Sequence, residues 1–120
     1  MASSMEGVAY PYWEHRFGWR TAGARRDTLA GRRVMTVFYV AGAGRSGGAG
    51  ERIGYSILAG PALQTPSAGR TVDWSGVRFQ ILRIGGLSVV TWRRAGHTCI
   101  LGGRGVSDRT LLALASWRAA

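Results

Sequence analysis

With 120 residues, 46% of them hydrophobic and five of them Trp, the chain can bury one real core, so a single compact domain is expected. A formal net charge of +10 raises nucleic acid or an anionic membrane surface as a partner, yet all sixteen positive residues are Arg, and Lys and Asn are both absent. That pattern is the signature of a very GC-rich genome, which scatters Arg over a protein without gathering it into a patch. The single Cys excludes an internal disulfide and a Cys-cluster metal site, and no apolar run approaches the ~20 residues of a membrane span.

Residues 1–6 open the chain with small, polar side chains unlike those of the remaining sequence, as a vector-derived leader does, and no hydrophobic signal region comes after them. Residues 7–120 read as one domain, an excised soluble part of a longer protein. The stretch "WEHRFGWRTAGARRDTLAGRR", from Trp13, interleaves aromatics with Arg, which is the composition of a single-stranded nucleic-acid platform. Core tryptophans with Arg on a solvated surface leave the same trace, and that ordinary reading is preferred. His15 sits among the aromatics and is expected to pack or to face solvent.

Val34 to Val40, "VMTVFYV", is β-branched and aromatic, and alternation puts Val34, Thr36, Phe38 and Val40 on one face of a strand. The Gly-rich run Ala41 to Gly50 reads as a long hairpin loop. It lacks the Lys and the following helix that a phosphate-cradling loop requires. A second strand comes next in "RIGYSILAG", where Ile53, Tyr55 and Ile57 share a face.

From Val77 onward, two-residue turns at Gly85–Gly86 and Ala95–Gly96 fix the register of three antiparallel strands. Phe79 then lies opposite Trp92, Ile81 opposite Val90, Trp92 opposite Cys99, and Val90 opposite Leu101. The face Phe79, Ile81, Val90, Trp92, Cys99, Leu101 is the expected core. Ser107 as N-cap, Asp108 in the first turn and a Val106 to Leu111 staple begin a C-terminal helix, with Leu111, Leu114, Ala115 and Trp117 as its apolar stripe. The predicted class is α+β: mostly antiparallel β-sheet, built of hairpins and a three-stranded meander, with the helix packed on it.

"VVTWRRAGHTCILGG", from Val89, brings a His close to the only Cys and so raises nucleophilic or metal chemistry. Opposite Trp92 on an apolar face, Cys99 is expected to be buried with a raised pKa, a poor nucleophile. His97 and Cys99 share a side of the strand, but two ligands without a third do not make a zinc site. No acidic residue lies close by to orient an imidazole, and His97→Ala is expected to cost little. The chain is therefore expected to be no enzyme and to hold no metal and no cofactor.

The blocks "PYW", "FGWRTAGARRDTLAGRR", "TVFY", "RIGYSILAGPAL", "VVTWRRAGHTCILGG" and "LLALASW" together resemble, in order and over nearly the whole chain, the C-terminal extracytoplasmic region of membrane-anchored anti-sigma factors of high-GC bacteria. "TWRRAGHTCIL" is the most specific of them. The resemblance implies a sensory or regulatory domain outside the membrane, whose ligand or protein partner controls release of a sigma factor held by a cytoplasmic N-terminal region. That region, and the transmembrane helix after it, have no counterpart in this sequence. The rival class is an Arg-rich nucleic-acid binder. Candidate ligand contacts are Trp13, Trp19, Arg25, Arg26 and Asp27, chosen because they lie outside the confidently paired strands. A homodimer through unpaired sheet edges is the expected assembly, with a monomer nearly as well supported.

Overall fold

The structure, a computed structural model, describes residues 4–5, 8–9, 19–29, 31–41, 52–62 and 69–116, with side chains over 21–29, 31–40, 52–62 and 69–116. Trp13, His15 and Trp117 lie outside the described residues.

Strands β1 (Ser4–Met5) and β2 (Val8–Ala9) pair with each other. The strands β3 (Trp19–Leu29), β4 (Arg32–Ala41), β5 (Arg52–Leu58), β6 (Arg70–Trp74), β7 (Val77–Ile84), β8 (Leu87–Arg94) and β9 (His97–Arg104) form one antiparallel sheet in the order β3-β4-β5-β9-β8-β7-β6. Helix α1 (Asp108–Ser116) completes the described chain. The class is α+β and mostly sheet, as the alternation implied.

From β6 to β9 the chain advances by tight two-residue turns spaced ten positions apart: Ser75–Gly76, Gly85–Gly86 and Ala95–Gly96. Both residues of each turn have positive φ, between 51° and 82°, the left-handed twist that matches two flanking strands. The registers Ile81↔Val90, Trp92↔Cys99 and Val90↔Leu101 result from them, in agreement with the sequence.

Period-2 alternation sorts side chains onto two faces. One carries Val37, Tyr39, Ile53, Tyr55, Ile57, Phe79, Ile81, Val90, Trp92, Cys99 and Leu101, all buried. The ring of Trp92 stands edge-on to Tyr55, with centroids 5.4 Å apart at 88°, and tilts against Phe79 at 5.4 Å. On β4 the core-facing residues are thus Val37 and Tyr39, while Val34, Thr36, Phe38 and Val40 share the opposite face, because Val37 pairs with Tyr55 and Tyr39 with Ile53.

The helix lies over β7, β8 and β9 and contributes Leu111, Leu112, Leu114 and Ala115 to the core. Ser107 caps it: the Thr110 amide donates to Ser107 Oγ at 3.1 Å, satisfying one of the amides a helix start leaves open. Val106 and Leu111 are both buried, as the staple requires.

Two strands come from segments the hydrophobic pattern does not mark. β6 is short and polar, and it forms because the Ser75–Gly76 turn folds it back on β7. β3 is rich in Ala, Gly and Arg, poor strand formers, and is held by its ladder to β4 across a register shift between Thr21 and Gly23. Among the described residues no helix is long and apolar enough to cross a membrane.

Candidate functional site

The reactive residue types cluster at the core face. Cys99 is a free thiol with no solvent exposure, packed beside Tyr55. Burial pushes its pKa from 9.0 to about 11, against the Arg94 guanidinium and a Tyr55 hydrogen bond, which pull it down. Tyr55 is shifted upward too, by burial first and by Cys99 second, while Arg94 Nη1 donates to its hydroxyl at 2.9 Å. A thiol and a phenol both held in their neutral forms stabilise a packed interior and supply no nucleophile at neutral pH.

His97 does not join Cys99. Its Nδ1–H donates to the Gly60 carbonyl at 2.8 Å, tying β9 to the segment after β5. Arg32 reaches the same segment from β4, donating to the carbonyls of Ala59 and Pro61. His97 is therefore a structural strap, and its loss costs more than an idle surface residue's would. Among the described residues no group of three His, Cys, Asp or Glu could hold a metal ion.

The candidate contacts proposed from sequence fall on β3. Arg25, Arg26 and Asp27 are exposed there and lie within a paired strand, contrary to the expectation that they sit outside the ladder. The pairing with β4, and not local propensity, places them so. Arg25 Nε meets Asp27 Oδ2 at 2.9 Å, which the i, i+2 spacing on one face allows, so their charges are spent on each other. Arg26 points to the other face, opposite Met35. Trp19 opens β3 opposite Ala41, and the structure does not describe its side chain. Trp13 lies outside the described residues.

A different place has the shape of a site. On the face away from the helix, one row across four strands reads Phe38, Gly54, Gly102, Val89, each paired with the next. The two middle positions have no side chain, so the row sinks to bare backbone between a ring and a branched aliphatic. Phe38 leans inward: a Cβ built on Gly54 would stand 3.4 Å from its Cε1. Leu87 and Val89 approach from the other side, at 3.6 and 3.5 Å from a Cβ built on Gly102. The resulting groove is open to solvent along one side and has a volume of about 380 Å³, with Ile100 and Ser56 also on its lining.

Its two ends differ. At one, Arg52 of β5 and Arg104 of β9 occupy the next positions on the same face and line the mouth. Neither meets a carboxylate among the described residues; Arg104 donates one N–H to the Gly85 carbonyl at 3.2 Å. At the other end the hydroxyls of Thr36 and Ser56 bond each other at 2.6 Å. The sequence carries a trace of this in the alternations "RIGYS" and "CILGGR", where the positions opposite the core run are Arg52, Gly54 and Ser56 on one strand and Ile100, Gly102 and Arg104 on the other. Nothing local says that those glycines face each other. The chain matches no family model, no curated protein and no solved structure.

Proposed function

We propose that this chain is a non-enzymatic sensory or regulatory domain of a transmembrane anti-sigma factor, standing on the extracytoplasmic side of the membrane. Binding of a ligand or protein partner to it would govern sigma-dependent transcription through the cytoplasmic part of the parent protein. The observation that carries the binding half is the groove: one sheet face is given to the core and helix, the other keeps a recessed, largely apolar surface with charge at one end. The anti-sigma half draws on the ordered sequence blocks, of which "TWRRAGHTCIL" is the most specific. Burial of Cys99 and engagement of His97 with a backbone carbonyl weigh against a Cys/His hydrolase.

A transcription reporter in the source organism tests the reading. Deleting this region from the full-length parent should change sigma-dependent output, and output unchanged under every stress applied would refute it. The rival, nucleic-acid binding, draws on the exposed arginines of β3. It predicts an affinity for labelled single-stranded DNA that falls steeply with salt, because each phosphate neutralised releases counterions.

A further inference from the structure

Glycine is a poor strand former, and two of them opposite each other at the centre of a seven-stranded sheet weaken it unless something must lie close to the backbone. Neither Gly54 nor Gly102 has a positive φ, so neither is demanded by a turn. Nor does packing forbid a side chain at Gly102, where an added Cβ would find only ordinary contacts, the nearest at 3.5 Å. Over Gly54 the Thr36 methyl and the Phe38 ring already stand, 3.2 and 3.4 Å from where a Cβ would be, so it is Gly102 that leaves the groove floor open beside Val89.

The surroundings define what would fill it. The walls are hydrocarbon, and the volume of about 380 Å³ is at the small end of the range for sites that enclose a small molecule. Two guanidiniums, Arg52 and Arg104, stand at one mouth, while the hydroxyls at the far end satisfy each other. A wholly apolar guest would make no use of the two guanidiniums, and a small hydrophilic anion would leave the trough unused. We infer that the groove binds a single-chain amphipathic carboxylate, a medium-length fatty acid, with its chain lying over Gly102 between the Phe38 ring and Val89 and its carboxylate between Arg52 and Arg104. The apolar surface is recessed between flanking side chains, which suits one withdrawn acyl chain better than a bilayer. This inference rests on the sensory reading for its purpose, and it names the class of ligand sensed.

Calorimetric titration of the intact chain with decanoate below its micelle concentration tests it, beside decanol, which keeps the chain and drops the charge, and butyrate, which keeps the charge and drops the chain. Decanoate should bind saturably at one per chain, with decanol and butyrate at least about tenfold weaker. Arg52→Gln with Arg104→Gln should weaken decanoate about tenfold. Gly102→Val should abolish binding while the melting temperature holds or rises, since a β-branched residue replaces Gly in a strand. Should Gly102→Val fail to fold, the double Arg variant still decides. Equal binding of decanol, undiminished binding by folded Gly102→Val or by the double Arg variant, no binding at millimolar decanoate, or association with anionic vesicles alone would each overturn the inference. The titration uses the purified chain and the reporter uses the parent protein in cells, so the two readings fail separately.

Discussion

Alkylation of Cys99 measures directly how well the core face is sealed. Iodoacetamide attacks the thiolate, so its rate scales with the fraction ionised. At about pH 8, a thiol of pKa 9.0 is roughly one part in ten thiolate, whereas one pushed to about 11 is roughly one part in a thousand, a slowing of ~100-fold. Cys99 also has no exposed surface, so the reagent can alternatively wait for the sheet to open. An opening that costs about 3 kcal/mol exposes the thiol with its ordinary pKa, so by either route native labelling should run about 100 times slower than labelling in guanidinium. Mass spectrometry of timed aliquots reads both rates. Native labelling within tenfold of the denatured rate would refute the Trp92↔Cys99 register and the burial that register produces.

The same thiol ties stability to alkaline pH. Its folded pKa is raised, so above 9.0 the unfolded chain gives up a proton that the folded chain retains, and stability falls as pH rises from about 9 to about 11. A shift of this size corresponds to about 2–3 kcal/mol over that window, and Tyr55 acts in the same direction at higher pH. A urea midpoint that stays constant between about pH 8 and pH 11 would contradict it.

Trp92→Ala should cost about 3–5 kcal/mol in chemical denaturation, since it removes a buried ring in contact with both Tyr55 and Phe79; a loss below about 1 kcal/mol would mean those contacts do not form. His97→Ala should cost about 1 kcal/mol through loss of its hydrogen bond to the Gly60 carbonyl, and no loss at all would remove its role as a strap. Ala95 sits at φ 51°, a region that taxes a Cβ, so Ala95→Asn should raise the thermal midpoint by a few degrees, and a lowered midpoint would show that the turn is not of the left-handed kind. Light scattering over protein and salt concentration should show a weak homodimer that salt favours, since exposed Arg side chains repel; the mass of one chain throughout would exclude it.

The fold is legible in the sequence wherever its chemistry is local. Turn dipeptides set the register of β7, β8 and β9, alternation identifies Ile53, Tyr55 and Ile57, and capping residues mark the start of α1. β6 escapes because five mostly polar residues carry little alternation, although the Ser75–Gly76 turn beside them is the same signal that marks the two later hairpins. β3 escapes because its residues prefer no strand and only the ladder to β4 makes it one. The groove is out of reach for another reason. Phe38, Gly54, Gly102 and Val89 become neighbours only once β5 lies against β9, and no pattern within either segment announces that pairing. Aromatics and charge point instead to β3, where Arg25 and Asp27 have already neutralised each other.

The junction of β5 with β9 also dictates an order of events in folding. Every other ladder of the large sheet joins strands adjacent in sequence, several across two-residue turns, so each can form early at small entropic cost. β5 and β9 instead meet across about 40 to 50 intervening residues, from Ile57↔Cys99 to Ile53↔Gly103. Two partial meanders, one ending in β5 and the other in β9, would form first and then zip together along this seam. Until they do, both halves expose apolar strands with open backbone edges at the moment a nascent chain is most crowded by its copies, so the seam is where kinetic partitioning between native closure and aggregation is decided.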